Sequence, residues 1–172
     1  MDQSQKLQAG ALMPKFSVAK AGGGEIKLGD PSGWQMVVVY RGRHCPICRK
    51  YLNRLEGLFD KFREIGTEVV ALSADSQDKA EGQVAAEGWR FPVGYGLTLE
   101  QMRSLGLFIS KPRSPQETDQ PFPEPGLFVL TPEGRIQVID ISNAPFARPD
   151  LEGVLGGLRY IQGSQYPIRG TA

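Results

Sequence analysis

The sequence predicts a single α/β domain organised around a mixed β-sheet, and three observations carry that expectation. Met36–Tyr40 is a near-continuous apolar run, as a central strand covered on both faces requires. The segments after it alternate between helical and extended periodicity, and strand–helix–strand units imply a parallel centre. Late in the chain, Gly126–Leu130 and Arg135–Ile141 flank the turn Thr131-Pro132-Glu133-Gly134 and add an antiparallel hairpin. The length of 172 residues fits one domain, since domains run roughly 100–200 residues.

Taken in order, residues 1–13 read as a tail, 14–162 as the domain and 163–172 as a second tail. Phe16-Ser17-Val18 and Glu25-Ile26-Lys27-Leu28 flank a glycine run and predict a small hairpin. A helix starting at Pro46 carries Leu52, Leu55, Leu58, Phe59 and Phe62 at helical spacing and stops at Gly66. Glu68–Ser73 predicts the next strand, and a polar helix runs from about Ser76 to Glu87. Trp89–Val93 is short and extended, and Leu99–Leu105 is a short helix. Residues 110–125 are rich in proline and charge without periodicity. Connections beyond roughly 12–15 residues are functional or disordered, and a flap is expected here. Pro149 opens a last helix bearing Leu151, Val154, Leu155, Leu158 and Ile161.

Composition excludes some functions. The 20 basic and 19 acidic residues nearly cancel, so no nucleic-acid partner is expected. Residues 1–13 lack the apolar segment of a secretory signal. No apolar run approaches the roughly 18 residues of a membrane span. The expectation is a cytoplasmic protein with no membrane partner.

The chemistry concentrates at Cys45-Pro46-Ile47-Cys48, which holds both cysteines of the chain. Pro46 suits the first helical position, which makes Cys45 the N-cap and puts Cys48 in the first turn. The free amides and positive end of the helix stabilise a thiolate at Cys45. Cys48 is close enough to attack a mixed disulfide formed there and close the pair. In a reducing compartment such a pair is redox-active or metal-binding more often than structural. A zinc site wants four ligands, and two cysteines with His44 would need a second subunit to complete it.

The order of these elements, with a Cys-x-x-Cys at the first long helix and a late hairpin after a proline, resembles a thioredoxin fold. The segment Tyr40-Arg41-Gly42-Arg43-His44-Cys45-Pro46-Ile47-Cys48 is similar to that of the peroxiredoxin-like branch of the alkyl hydroperoxide reductase/thiol-specific antioxidant (redoxin) family. Further matches are Pro14-Lys15-Phe16, Val69–Ser76, Phe91-Pro92-Val93 and Leu127–Ile136. The resemblance implies a mixed sheet flanked by helices, with an N-terminal β-hairpin, and thiol-based oxidoreductase activity that requires no bound cofactor. It also implies a thioredoxin- or glutathione-type donor of reducing equivalents, and a homodimer is compatible with it. Two departures stand out. Peroxiredoxins carry Thr or Ser three residues before the peroxidatic cysteine and Pro seven before, where this chain has Gly42 and Val38. Their arginine before the last hairpin is absent from Glu124-Pro125-Gly126. Both missing polar groups serve peroxide binding.

The expected site therefore consists of Cys45 as attacking thiol, Cys48 as resolving thiol, Arg41 as the functional arginine, and His44 as a tuning group or a gate over the thiol. Arg43, Arg49 and Lys50 add nearby charge, and Asp75 either lies near the site or caps the following helix. Pro125 falls where thioredoxins carry a cis-proline, so Glu124–Pro125 is expected to be cis, near Cys45, and to shape the substrate groove. The alternative is a trans proline that ends the loop. Thiol–disulfide exchange is the leading expectation, thiol-dependent peroxidase activity the second, and a metal or iron–sulfur module shared between two subunits the third.

Overall fold

The computed structural model describes residues 6–172, so residues 1–5 of the expected tail lie outside the described residues. A seven-stranded mixed sheet forms the centre. Its strands are β1 (Phe16–Lys20), β2 (Glu25–Leu28), β3 (Trp34–Val39), β4 (Thr67–Leu72), β5 (Val93–Tyr95), β8 (Gly126–Leu130) and β9 (Ile136–Ile141), in spatial order β2-β1-β5-β4-β3-β8-β9. The core strands β3, β4 and β5 are parallel. β8 and β9 extend the sheet antiparallel on one side, and β1 and β2 do so on the other.

Alternation along β3 divides the interior. Met36, Val38 and Tyr40 face the layer formed by α1 (Pro46–Glu64) and α4 (Leu151–Ser164), against Leu52, Leu55, Phe62, Leu155 and Leu158. Val37 and Val39 face the opposite layer with Met102, Leu105 and Phe128. That second layer includes α3 (Leu99–Ser104), which Thr98 opens with a reciprocal capping box to Gln101. The remaining helix, α2 (Gln77–Glu87), packs beside β5.

Several details differ from the sequence expectation. Asp150 is the N-cap of α4 and accepts from the Gly153 N–H at 2.9 Å, so the helix starts two residues after Pro149. Residues 10–13 run along the last hairpin: the Gly10 N–H donates to the Ile136 carbonyl, the Ile136 N–H donates to the Ala11 carbonyl, and Met13 is buried. The expected structureless stretch 110–125 is bounded by a two-stranded ribbon, β6 (Ile109–Ser110) with β7 (Phe122–Pro123). Between these strands the chain is tied down by Lys79 to Asp119 and by Gln120 to the Ala74 carbonyl. No described helix is long and apolar enough to cross a membrane.

Candidate active site

β3 ends at Val39, and six residues later the chain enters α1 through Cys45. This turn is held from two directions. The Cys45 N–H donates to the Gly42 carbonyl at 3.2 Å, and the Arg43 N–H donates to Asp75 Oδ2 at 2.8 Å. Asp75 does not cap α2; Ser76 does. Gly42 has φ +135°, and a Cβ there would lie 2.6 Å from Asp75 Oδ1. Only glycine lets the turn pass this close to the carboxylate.

Cys45 is the N-cap of α1, with its sulfur accepting from the Cys48 N–H at 3.3 Å and Pro46 at the first helical position. Both thiols are free and buried, Cys45 at 1% and Cys48 at 0% exposure. Their acidities are driven apart. The hydrogen bond donated by the Cys48 thiol is the largest influence on Cys45, and with the Cys48 amide and Arg41 it outweighs burial and brings Cys45 from the ordinary 9.0 down to about 6. Burial pushes Cys48 far above the ordinary thiol range, and the hydrogen bond it donates to Cys45 adds to that.

Each sulfur has its own arginine. Arg41 Nη1 reaches Cys45 Sγ at 3.9 Å, its guanidinium lies 4.8 Å over the Phe122 ring, and Nε sits 3.2 Å from Glu124 Oε2. That last contact is ionic and not aligned as a hydrogen bond. Glu124 is itself buried and accepts from Ser110 Oγ at 2.7 Å, so it joins β6 and β7 to the active turn. On the other side Arg148 Nη2 donates to Cys48 Sγ, and its guanidinium lies 4.9 Å over Tyr51. The Tyr51 hydroxyl donates to the Pro149 carbonyl at 2.7 Å and anchors the segment that carries Arg148. Nothing local in the sequence marks Arg148; it stands 100 residues from Cys48.

The structure brings Cys45, Cys48, Arg41, His44 and Glu124 together around the active turn. His44 packs edge-on against Phe122 with centroids 4.6 Å apart. Burial, then the Arg41 charge, lowers its pKa, so the ring is neutral at pH 7. The expected cis-proline is corrected: the described chain has no cis peptide bond, and Glu124–Pro125 is trans. Pro125 leads straight into β8, its carbonyl accepting from the Ser142 N–H at 3.0 Å, and the extended trans path satisfies that ladder. Pro125 lines a small cavity with Tyr51 and Arg148, on the Cys48 side of the pair. Arg49 points away from the thiols to Glu87, 3.6 Å distant. Among the described residues no three His, Cys, Asp or Glu side chains are gathered to hold a metal ion.

Outside the thiols, a cleft of about 710 Å³ opens between the active turn and residues 113–119. It is lined by Arg41, Arg43, His44, Pro46, Lys79 and the flap.

Residues 9–139 match the AhpC/TSA family. The chain belongs to that family. Among curated proteins it is similar to the thiol-disulfide oxidoreductase ResA of Bacillus anthracis, 34% identical over 90 residues covering 52% of each chain. A second ResA, from Bacillus cereus (strain ATCC 10987 / NRS 248), is 29% identical over 106 residues covering 61% of each. The chain spans about half the length of the first of these and somewhat more of the second. Among solved structures, peroxiredoxin 6 of Arenicola marina superposes with a TM-score of 0.76 at 20% identity, over 92% of this chain and 75% of that one. Mycobacterium tuberculosis AhpC superposes with a TM-score of 0.75 at 16% identity, over 94% and 97%. These likenesses establish the thioredoxin-like fold of the peroxiredoxins.

Proposed function

We propose that the protein is a thiol–disulfide oxidoreductase in which Cys45 attacks and Cys48 resolves. The observation that carries this reading is the placement of both thiols at one helix start, with Cys45 as N-cap accepting from the Cys48 N–H beside Arg41 and with Cys48 fully buried. One sulfur is a thiolate at neutral pH and the other is protonated, buried and three residues away. In the first step the Cys45 thiolate attacks one sulfur of a substrate disulfide, forming a mixed disulfide and releasing the second sulfur as thiolate. The charge at Cys45 is then gone, and with it the acceptor for the Cys48 proton. Cys48 loses that proton to solvent or the departing thiolate, and Arg148 stabilises the sulfur anion. Cys48 then attacks Cys45 Sγ, the Cys45–Cys48 disulfide forms, and the bound half leaves as its thiolate. An external dithiol resets the pair, with one disulfide gained for each one lost. The names of the ResA relatives support the same chemistry.

A second reading, peroxide reduction at Cys45, is favoured by the near-complete burial of that sulfur, which suits a small oxidant. Against it, Gly42 offers no hydroxyl beside Cys45, and Glu124 places a carboxylate where peroxide-binding sites use a cation. A disulfide reaches Cys45 only when the wall parts. Among the described residues the one ion pair from the flap to the body, Lys79 with Asp119, reaches solvent and is worth about 0–1 kcal/mol, a small barrier to that movement.

The test is single-turnover reaction of the reduced protein with hydroxyethyl disulfide, read by intact mass. Wild type should end with loss of two hydrogens, and Cys48→Ser should stop at the mixed disulfide on Cys45. Retention of activity in Cys45→Ser would refute the role assignment. Faster oxidation by hydrogen peroxide than by any disulfide would move the second reading to first place.

A further inference from the structure

We propose that the cleft beside Cys45 is a binding site for small disulfides bearing carboxylates, with Arg43 as their first contact. This rests on the reading of Cys45 as the attacking thiol and specifies its substrate class.

The cleft has the size of a ligand site, since such sites run roughly 300–1,000 Å³. Its position couples it to the chemistry: His44 and Pro46, the two chain neighbours of Cys45, both line it. Its charge selects the ligand. Arg41, Arg43, Lys79 and Arg113 line it against Glu117 and Asp119. Three of the cations already have carboxylate partners: Arg41 with Glu124, Lys79 with Asp119, and Arg113 with Glu117. Arg43 has no ion-pair partner among the described residues, and its guanidinium lies over Gly82 in the middle of α2. Its backbone is fixed by Asp75, two residues before the attacking sulfur. A guanidinium held there and left unpaired matches a carboxylate bidentately. The neutral His44 ring, whose two nitrogens have no hydrogen-bond partner, adds polar capacity to the same wall.

The electron count needs no further reagent. A carboxylate of the ligand pairs with Arg43, its disulfide bond turns toward Cys45, and the Cys45 thiolate forms one S–S bond as the ligand's own breaks. The released half leaves as a thiolate that still carries its carboxylate.

The experiment compares three disulfides with the reduced protein at low ionic strength: anionic 3,3′-dithiodipropionate, neutral hydroxyethyl disulfide and cationic cystamine. Each rate is divided by that of the same disulfide with free 2-mercaptoethanol. The expected order is anionic, neutral, cationic, with about tenfold between the extremes, the scale of one charge-assisted hydrogen bond. Arg43→Gln should collapse the anionic-to-neutral ratio, and Arg113→Gln, whose charge is already paired, should reduce it less. A flat or reversed order in wild type overturns the proposal. Calorimetric titration of Cys45→Ser with dithiodipropionate separates binding from reaction: saturable heat that disappears in Cys45→Ser/Arg43→Gln supports the site, and no heat overturns it. If that binding holds while no disulfide of the series reacts with wild type, the attacking role of Cys45 fails and the carboxylate site stands.

Discussion

The two sides of the Cys-x-x-Cys pair are built from different materials. The Cys45 side is a turn, a flap and a rim: residues 40–45, the 109–123 segment, and side chains such as Arg43 that reach solvent. The Cys48 side is more tightly packed: α1 lies against the start of α4, half-buried Tyr51 sits under half-buried Arg148, and Cys48 itself is fully buried. Each side supplies one arginine to one sulfur. The difference shows how a single helix start makes one thiol acidic and its neighbour inert. The N-cap position and the donors around it favour charge at Cys45, while burial and the hydrogen bond donated by Cys48 keep the second proton in place until the first sulfur has reacted.

The largest way to break that division is to remove the first sulfur. Cys45→Ser should lower disulfide reductase activity by at least about a thousandfold, because serine at an N-cap is not a thiolate nucleophile; insulin reduction would measure it. Removing Arg41 should come next. Arg41→Met leaves the buried Glu124 without its cation and should destabilise the fold by on the order of 3 kcal/mol, while raising the Cys45 pKa. Chemical denaturation of Arg41→Met and Arg41→Met/Glu124→Gln should show the double variant recovering part of the loss. Gly42→Ala tests the turn itself. The +135° backbone and the Asp75 carboxylate should cost about 1–3 kcal/mol, visible as a lower thermal midpoint. Arg148→Met acts on the other side, and should slow decay of the mixed disulfide on the order of tenfold while leaving its formation far less affected. That split is checked by rapid-quench intact mass.

How much of this was legible in the sequence follows the same division. The Cys45 side is mostly local: Pro46 announces the helix start, and Arg41, His44 and Cys45 lie within one turn of chain, so their convergence follows from spacing. Gly42 was legible only as an absent hydroxyl, because the carboxylate that demands a glycine, Asp75, comes from the end of another strand. The Cys48 side was invisible. Arg148 reaches the sulfur through the packing of α4 on α1, which residue spacing does not encode. The expected cis-proline failed for a related reason. The hairpin register placed Pro125 correctly before β8, yet peptide geometry there is set by the path from β7, and that path is extended.

The smallest effect is on pH dependence. The thiolate is the reactive form, so the attack rate should rise with pH and be half-maximal near pH 6, where Cys45 titrates. The sign for stability is the same. An acid whose pKa is lowered on folding contributes in full above its unfolded value near 9, and that contribution is lost as the pH falls through about 6. Because the lowered pKa stabilises the reduced pair, each unit of it should make the potential more oxidising by about 30 mV at pH values above both titrations. Arg41→Met should shift the potential the other way in redox-buffer titrations.

The measurement that tests the account most directly is the alkylation rate of each cysteine against pH, resolved by peptide mass, in wild type and Cys48→Ala. The account predicts that Cys45 titrates near pH 6 while Cys48 stays unreactive throughout, and that Cys48→Ala raises the Cys45 value because the donated thiol hydrogen bond is gone. Two thiols titrating together near 9, or a Cys45 value indifferent to Cys48, would contradict it.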